Sequence, residues 1–188
     1  MKIHIMGASC SGVTSLGLYL SSTLNIPYFD TDEFFWEKSD PPFTIRRDPQ
    51  QRNEMLCETL QQHDSWFLGG SVINWQLNIA FDLVVFLWLP NNIRIQRLKD
   101  RELERYGDVI YNDPARNKQF TEFINWASGY DDKPARGRTL AAHEAWMYNA
   151  GYPILELRGD LSIPERAAMV LDKLLQLQGR GNGILKKE

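Results

Sequence analysis

The residues best able to do chemistry begin at position 7. Gly7-Ala8-Ser9-Cys10-Ser11-Gly12-Val13-Thr14-Ser15 lies between an apolar run and a helical repeat, and its spacing, G-x-x-x-x-G-x-[ST], is that of a phosphate loop. Glycines at 7 and 12 allow dihedrals that turn successive N–H groups inward, and a helix N-terminus adds its dipole. Thr14 is placed to offer its hydroxyl to Mg²⁺. Val13 stands where the phosphate-contacting lysine is expected. Two readings follow: a ligand-free strand-to-helix turn, or an anion cradle of backbone amides whose positive charge comes from elsewhere. Losing the lysine bears on phosphoryl transfer more than on binding, because the amides survive and the bridging cation does not. Cys10 is either a reactive thiol near a helix N-terminus or a small residue that fits the turn.

A second set is Arg94, Arg97, Arg101 and Arg105, spaced 3, 4 and 4 apart, which at ~100° per residue fall in one sector of a helix. Ile95 and Leu98 lie beside that sector and would anchor the helix on a sheet. The stripe is either a solvated face paired locally with Glu102 and Glu104, or part of a site. The second reading draws on position, since the helix starts at the carboxyl end of a strand, where open α/β sheets bind ligands. Arginines facing a transferring phosphate are worth ~10³ or more in rate. Arg97 and Arg101 could therefore replace the cation that Val13 does not supply.

The elements that must position these groups alternate along the chain. Residues 3–6, 26–29, 66–68, 83–89 and 153–157 read as strands, the fourth continuous enough to be buried on both faces. Residues 13–24 place apolar side chains at 13, 16, 20 and 24, a helical repeat. Further helices are predicted over 49–62, 91–106 and 140–150, and around Phe120, Phe123, Ile124 and Ala127. The last opens on the capping box Ser162-Ile163-Pro164-Glu165, with Ala167, Val170, Leu171 and Leu174 as its core face. Five strands alternating with helices predict an α/β fold with a parallel sheet covered on both faces. Residues 106–139, polar and rich in turn residues, read as an inserted flap. Residues 1–178 form one domain in this reading, and 179–188 a flexible tail.

Composition narrows the class. The 188 residues are 43% hydrophobic and 24% charged, with a net charge of −3, so there is no bulk positive field for nucleic acid or an anionic membrane. Aromatics at 12%, six of them Trp, exclude collagen, a coiled coil or a disordered chain. The longest apolar stretch, 83–89, falls far short of the ~20 residues that span a bilayer. The first six residues lack a signal-peptide build. Cys10 and Cys57 cannot alone make a disulfide framework or a four-ligand zinc site. His4, His63 and His143 have no metal spacing and read as surface or core residues, and the tryptophans as packing rather than a base-stacking platform. A cytoplasmic protein, monomer or homodimer, is expected.

From Met1 to about Leu177 the chain resembles the nucleoside monophosphate kinase-like branch of the P-loop fold, which includes adenylate, cytidylate and shikimate kinases. Four pieces carry the resemblance: the loop at 7–15, Phe29-Asp30-Thr31-Asp32, Gly69-Gly70-Ser71, and Phe81-Asp82-Leu83-Val84-Val85-Phe86-Leu87 leading to Arg97 and Arg101. It implies a three-layer P-loop NTPase fold using ATP and Mg²⁺, with residues 106–139 as a mobile LID. Loop residues 7–15 would bind the donor phosphates, joined by Arg105 and by Arg116, Arg136 and Arg138 of the LID. Asp30 and Asp32 look like the acidic pair of shikimate-type kinases, Asp30 holding a metal-bound water and Asp32 orienting the acceptor hydroxyl. Asp32 would equally serve as a helix N-cap. Gly69, Gly70 and Ser71 would approach the acceptor, unless they form a plain strand-ending turn. Arg46 and Arg47 would suit an acceptor with a phosphate or carboxylate, and Asp160 falls where the adenine ring lies.

Two departures matter. Val13 marks a subgroup without the loop lysine. The aspartate-glycine-phenylalanine-proline-arginine stretch of true adenylate kinases is replaced by Gly69-Gly70-Ser71-Val72-Ile73, which argues against AMP as the acceptor. The resemblance implies a phosphotransferase moving the γ-phosphoryl of ATP to a small nucleotide or metabolite, with Asp32, Arg97 and Arg101 in the catalytic roles. The alternatives are a slow ATPase and a nucleotide-binding regulatory protein without turnover.

Overall fold

A computed structural model describes residues 1–40, 42–132, 134 and 137–183, with side chains as far as 179. Pro41, Arg136 and residues 184–188 lie outside the described residues. Five strands, β1 (Lys2–Gly7), β2 (Tyr28–Asp30), β3 (Trp66–Gly69), β4 (Leu83–Trp88) and β5 (Ile154–Arg158), pair in the order β2-β3-β1-β4-β5. Every pairing is parallel. The second strand lies later than expected because Asn25, in the left-handed region, ends helix α1 (Val13–Leu24), and Ile26-Pro27 is used in turning back.

Alternation along the strands builds two cores. Ile3 and Ile5 of β1, Phe67 of β3, and Leu83, Val85 and Leu87 of β4 face α1 and α8 (Ile163–Gly183), meeting Leu16, Leu20, Ala167 and Val170. Met6, Leu68, Val84 and Phe86 face the other side, against α2 (Thr31–Phe35), α3 (Pro49–Gln61) and α7 (Leu140–Asn149) through Phe34, Leu56, Leu60 and Met147. Burial on both faces explains the unbroken apolar run of β4. Caps set the helix starts. Asp48 accepts from the amides of Gln50 and Gln51 with Pro49 at N1, and Ser162 and Glu165 exchange the bonds of the expected capping box. Helix α8 runs on to Gly183, into the stretch expected to be a flexible tail.

The segment read as a polar flap contains the helix expected around 120–127 and a short helix before it. After α4 (Asn91–Tyr106) come α5 (Val109–Asn112) and α6 (Pro114–Ser128), with Asp113 capping α6 through the Arg116 amide. Asp131 ties this segment to the sheet. It accepts from Trp88 Nε1 at 2.8 Å and from Arg94 Nη2 at 2.6 Å. Arg94, buried, also donates to the carbonyls of Leu89 and Ala127. Arg94 is thus a structural member of the arginine stripe, neutralised at the base of the flap. Removing one partner of a buried ion pair strands the other charge, which costs about 3 kcal/mol or more. Asp131→Ala is expected to lower unfolding stability by about that much in urea titrations. Asp131→Ala unchanged from wild type would show that Arg94 needs no counter-charge.

Candidate active site

The parallel sheet delivers the carboxyl ends of β1, β2 and β3 to one edge, and the sequence candidates meet there. Past Gly7, Cys10 (φ 60°) and Gly12 (φ 97°) both take left-handed backbone conformations, curling the loop. Gly12 is the N-cap of α1 with no side-chain cap bond, which leaves the first amides of α1 without a capping side chain. Ser11 Oγ is fully buried and has no hydrogen-bond partner among the described residues. Val13 packs into the core with Leu16 and Leu20, so the position expected to carry a lysine points away from the loop. Burial raises the Cys10 thiol pKa in spite of Arg101, Arg105 and Arg94 nearby, keeping it a thiol and favouring the filler reading.

Thr14 and the two aspartates form one hydrogen-bonded unit. Thr14 Oγ1 donates to Asp30 Oδ2 at 3.0 Å, Tyr28 Oη donates to the same oxygen at 3.0 Å, and the Asp32 amide donates to Asp30 Oδ1 at 3.0 Å. Asp30, not Asp32, is therefore the N-cap of α2, which leaves the Asp32 carboxylate free of a capping bond. Asp32 reaches solvent, yet the protein packed around it raises its pKa by desolvation. Arg138, Arg101 and Arg105 oppose that shift, and Asp30 reinforces it. Thr14 and Asp30 could hold a magnesium ion, which usually takes one or two protein ligands and keeps several waters.

The arginines divide. Arg138 donates from Nε and Nη2 to the Gly7 carbonyl, at 3.3 and 2.9 Å, and so sits on the loop. Arg97 pairs with Asp160 at 2.8 Å, and Arg101 with Glu102 at 3.1 Å, the local partner expected of a solvated face. Arg105, in the last turn of α4, acts on Cys10 and Asp32 through its charge. Arg116 is turned to the ring of Tyr106 and to Gln119. Of the two arginines expected to meet the acceptor, Arg47 is taken up by the Trp36 carbonyl, Met55 and Glu37, while Arg46 lies 5.8 Å from the Phe35 ring centre.

Two residues that the sequence reading did not assign to the site belong to its surroundings. Arg52, buried, lies 3.9 Å over the Trp75 ring and 5.8 Å from that of Phe35. It donates to Asn53, and no carboxylate lies within ion-pair distance among the described residues. His143, fully buried, bridges Tyr130 Oη (2.6 Å from Nδ1) and Ser71 Oγ (2.9 Å from Nε2). Burial pushes its pKa down to about 3, with Arg138 and His4 adding to the effect, so the ring is neutral. The buried Tyr130 hydroxyl has no other acceptor among the described hydrogen bonds and must donate to Nδ1. Nε2 then carries the proton toward Ser71, leaving the Ser71 hydroxyl free to donate outward. Gly70 lies against the Thr31 side chain, close enough that a Cβ would collide with it, which sets the Ser71 turn beside Asp32. No spacing in the sequence ties Arg52 or His143 to the site, because the Trp75 ring and the Ser71 hydroxyl that they meet lie far along the chain.

No protein-family model matches the chain. The uncharacterized protein YqaC of Bacillus subtilis (strain 168) is 40% identical over 175 residues, spanning 92% of this chain and 97% of that protein. The chain belongs to the YqaC family. The shikimate kinase of Aquifex aeolicus (strain VF5) is 26% identical over 133 residues, 60% of this chain and 76% of that enzyme. Among solved structures, deoxyadenosine kinase from M. mycoides covers 94% of this chain and 100% of its own, at 13% identity and TM-score 0.55. The fold is that of the P-loop kinases, α/β with helices on both faces of a five-stranded parallel sheet. No helix among the described residues is long and apolar enough to cross a membrane.

Two buried histidines make the fold sensitive to acid. Burial lowers His4 to about 4 and His143 to about 3. An unfolded chain takes up these protons below ~6.5, whereas the folded one refuses them. Stability is therefore complete above ~6.5 and falls with pH toward the folded values, by up to ~1.4 kcal/mol per pH unit for each ring. Urea midpoints measured from pH 7.5 down to 5 are expected to fall, with a shallower slope in His143→Gln. An unchanged slope in that variant would remove His143 from the account.

Proposed function

We propose that this protein is an ATP-dependent phosphotransferase acting on a small acceptor at the carboxyl edge of the sheet. The observation that carries the reading is the Thr14–Asp30–Asp32 unit, which links the first turn of α1 to a carboxylate facing the cleft. When bound, Mg-ATP supplies the transferable phosphoryl group and a divalent charge. The amides of residues 8–13 and the α1 N-terminus suit the phosphates, and Thr14 with Asp30 suits the metal. The buried, unpartnered Ser11 Oγ inside the loop supports that fit.

Asp32 orients the acceptor hydroxyl and takes its proton. A carboxylate whose pKa is raised by desolvation is a better base near neutral pH than an ordinary one. Ser71, held as an outward donor by His143, binds an oxygen of the acceptor, and Gly69 and Gly70 allow the close approach. Arg138 brings charge to the loop, and Arg97 and Arg101 add to it once they leave Asp160 and Glu102. Arg46, Arg47 and Arg52 on the acceptor side favour an anionic acceptor. The second reading, nucleotide binding without turnover, is favoured by one observation: Val13 is packed into the core, where it contributes no cation.

Incubation with Mg-ATP and a panel of nucleosides, nucleotides and hydroxy acids, shikimate and deoxyadenosine included, is expected to give ADP together with one phosphorylated acceptor. Asp32→Asn is expected to lower kcat by roughly 10²-fold or more while leaving ATP affinity close to wild type. ATP binding without product from any acceptor would sink the kinase reading and leave the binding protein.

A further inference from the structure

The loop lacks its lysine, yet a cation stands directly behind it. Arg166, in the first turns of α8, is 2% exposed. Its Nη1 donates to the Ser11 carbonyl at 2.6 Å and its Nη2 to the Gly159 carbonyl at 3.1 Å, while Nε is buried without a partner. Among the described residues no carboxylate reaches ion-pair distance of it. Asp160 acts on it only at longer range, and burial together with Arg97 lowers its pKa. A buried guanidinium without a bridging counter-charge is costly for a fold to keep.

We propose that Arg166 is the resident cation of the phosphate loop, standing in from behind for the lysine that Val13 replaces, and that it makes the loop selective for polyphosphate anions. This rests on the reading that the loop binds a nucleotide's phosphates. The peptide geometry supplies the route. The Ser11 carbonyl and the Gly12 N–H belong to one trans peptide and point in opposite directions. Arg166 pins the carbonyl, so the Gly12 amide is aimed away from α8 and polarised by a charge-assisted bond at its other end. The guanidinium lies beneath the loop itself, since a Cβ on Gly12 would come within 2.8 Å of Nη1. Gly12, at φ 97°, takes a conformation that a side chain would strain in any case.

Arg166 also differs from the other loop arginine in what holds it. Arg138 reaches Gly7 from the connection that follows α6. Arg166 is built into α8, whose Ala167 and Val170 pack against α1 in the sheet core. Its charge therefore stays at the loop whatever the flap does. The second orphaned polar atom there, Ser11 Oγ, belongs to the same residue whose carbonyl Arg166 holds.

The test uses binding rather than turnover. Calorimetric titration of the full chain with inorganic tripolyphosphate, Mg-ATP and adenosine is compared among wild type, Arg166→Gln and Arg166→Lys. Gln keeps a donor for the Ser11 carbonyl and removes the charge, whereas Lys keeps the charge. Arg166→Gln is expected to weaken tripolyphosphate and ATP roughly tenfold or more and to leave adenosine unchanged, with Arg166→Lys recovering most of the loss. Equal losses for adenosine and tripolyphosphate, or no loss in Arg166→Gln, would overturn the assignment while leaving nucleotide binding intact. Should Arg166→Gln not fold, a tenfold loss in folded Arg166→Lys overturns the charge argument and retention sustains it. Wild type binding neither ATP nor tripolyphosphate would bring down the functional reading, and this one with it. Absence of phosphoryl transfer alone would touch only the former.

Discussion

Strand β1 has no free side. Its faces are buried by the helices, and its edges are taken by β3 and β4, which pair with Ile3, His4 and Ile5 in parallel register. Only its carboxyl end is open, and there the chain must turn sharply into α1. Parallel pairing brings the ends of the neighbouring strands to the same level. Asp30 is the register partner of Gly69, Ile5 also pairs with Gly69, and Gly7 pairs with Leu87. The phosphate-loop candidate, the acidic pair and the glycine turn meet because of this pairing, with no contribution from their separation in sequence.

Charge is arranged on that frame by giving each arginine a different fate. Arg94 is spent on Asp131 and the base of the flap, Arg97 on Asp160, and Arg101 on Glu102. The two guanidinium groups that hold the loop come from 131 and 155 residues away and bind backbone carbonyls rather than carboxylates. Their charge is thereby kept available at a surface that the chain's net charge of −3 does not suggest. Bonding to carbonyls also orients the peptides, so stiffness and positive potential have one source.

The Ser71 turn is organised by neutral groups. In the Tyr130–His143–Ser71 chain burial holds His143 neutral, so it can set a hydroxyl without adding charge beside Asp32. The Asp32 carboxyl is raised by its surroundings while the Thr14–Asp30 pair stays hydrogen-bonded at the loop. Two carboxylates two residues apart thus have different environments, because one caps α2 and the other begins its exposed face.

Much of this was legible in the sequence. Period-2 and continuous apolar runs predict the five strands, the glycine spacing predicts the loop, and Ser162 and Glu165 predict the start of α8, since each signal is local and the backbone must answer it locally. The arginine stripe was visible as a pattern but not as a function, because equal spacing on α4 says nothing of which guanidinium meets Asp131, Asp160 or Glu102. Outside the helix expected around 120–127 the flap read as polar and turn-rich, and even α6 carries only a thin apolar face, with Ala127 its one buried residue. Asp30 and Asp32 could not be told apart by spacing, and only the cap geometry assigned them. Arg166 and Arg52 gave no signal at all, and His143 read only as a surface or core residue. By itself the sequence determined the elements, their order and the loop, since these follow from neighbours within a few residues. Tertiary structure alone decided which charges are neutralised and which face the loop, because electrostatic partners are chosen by distance in space.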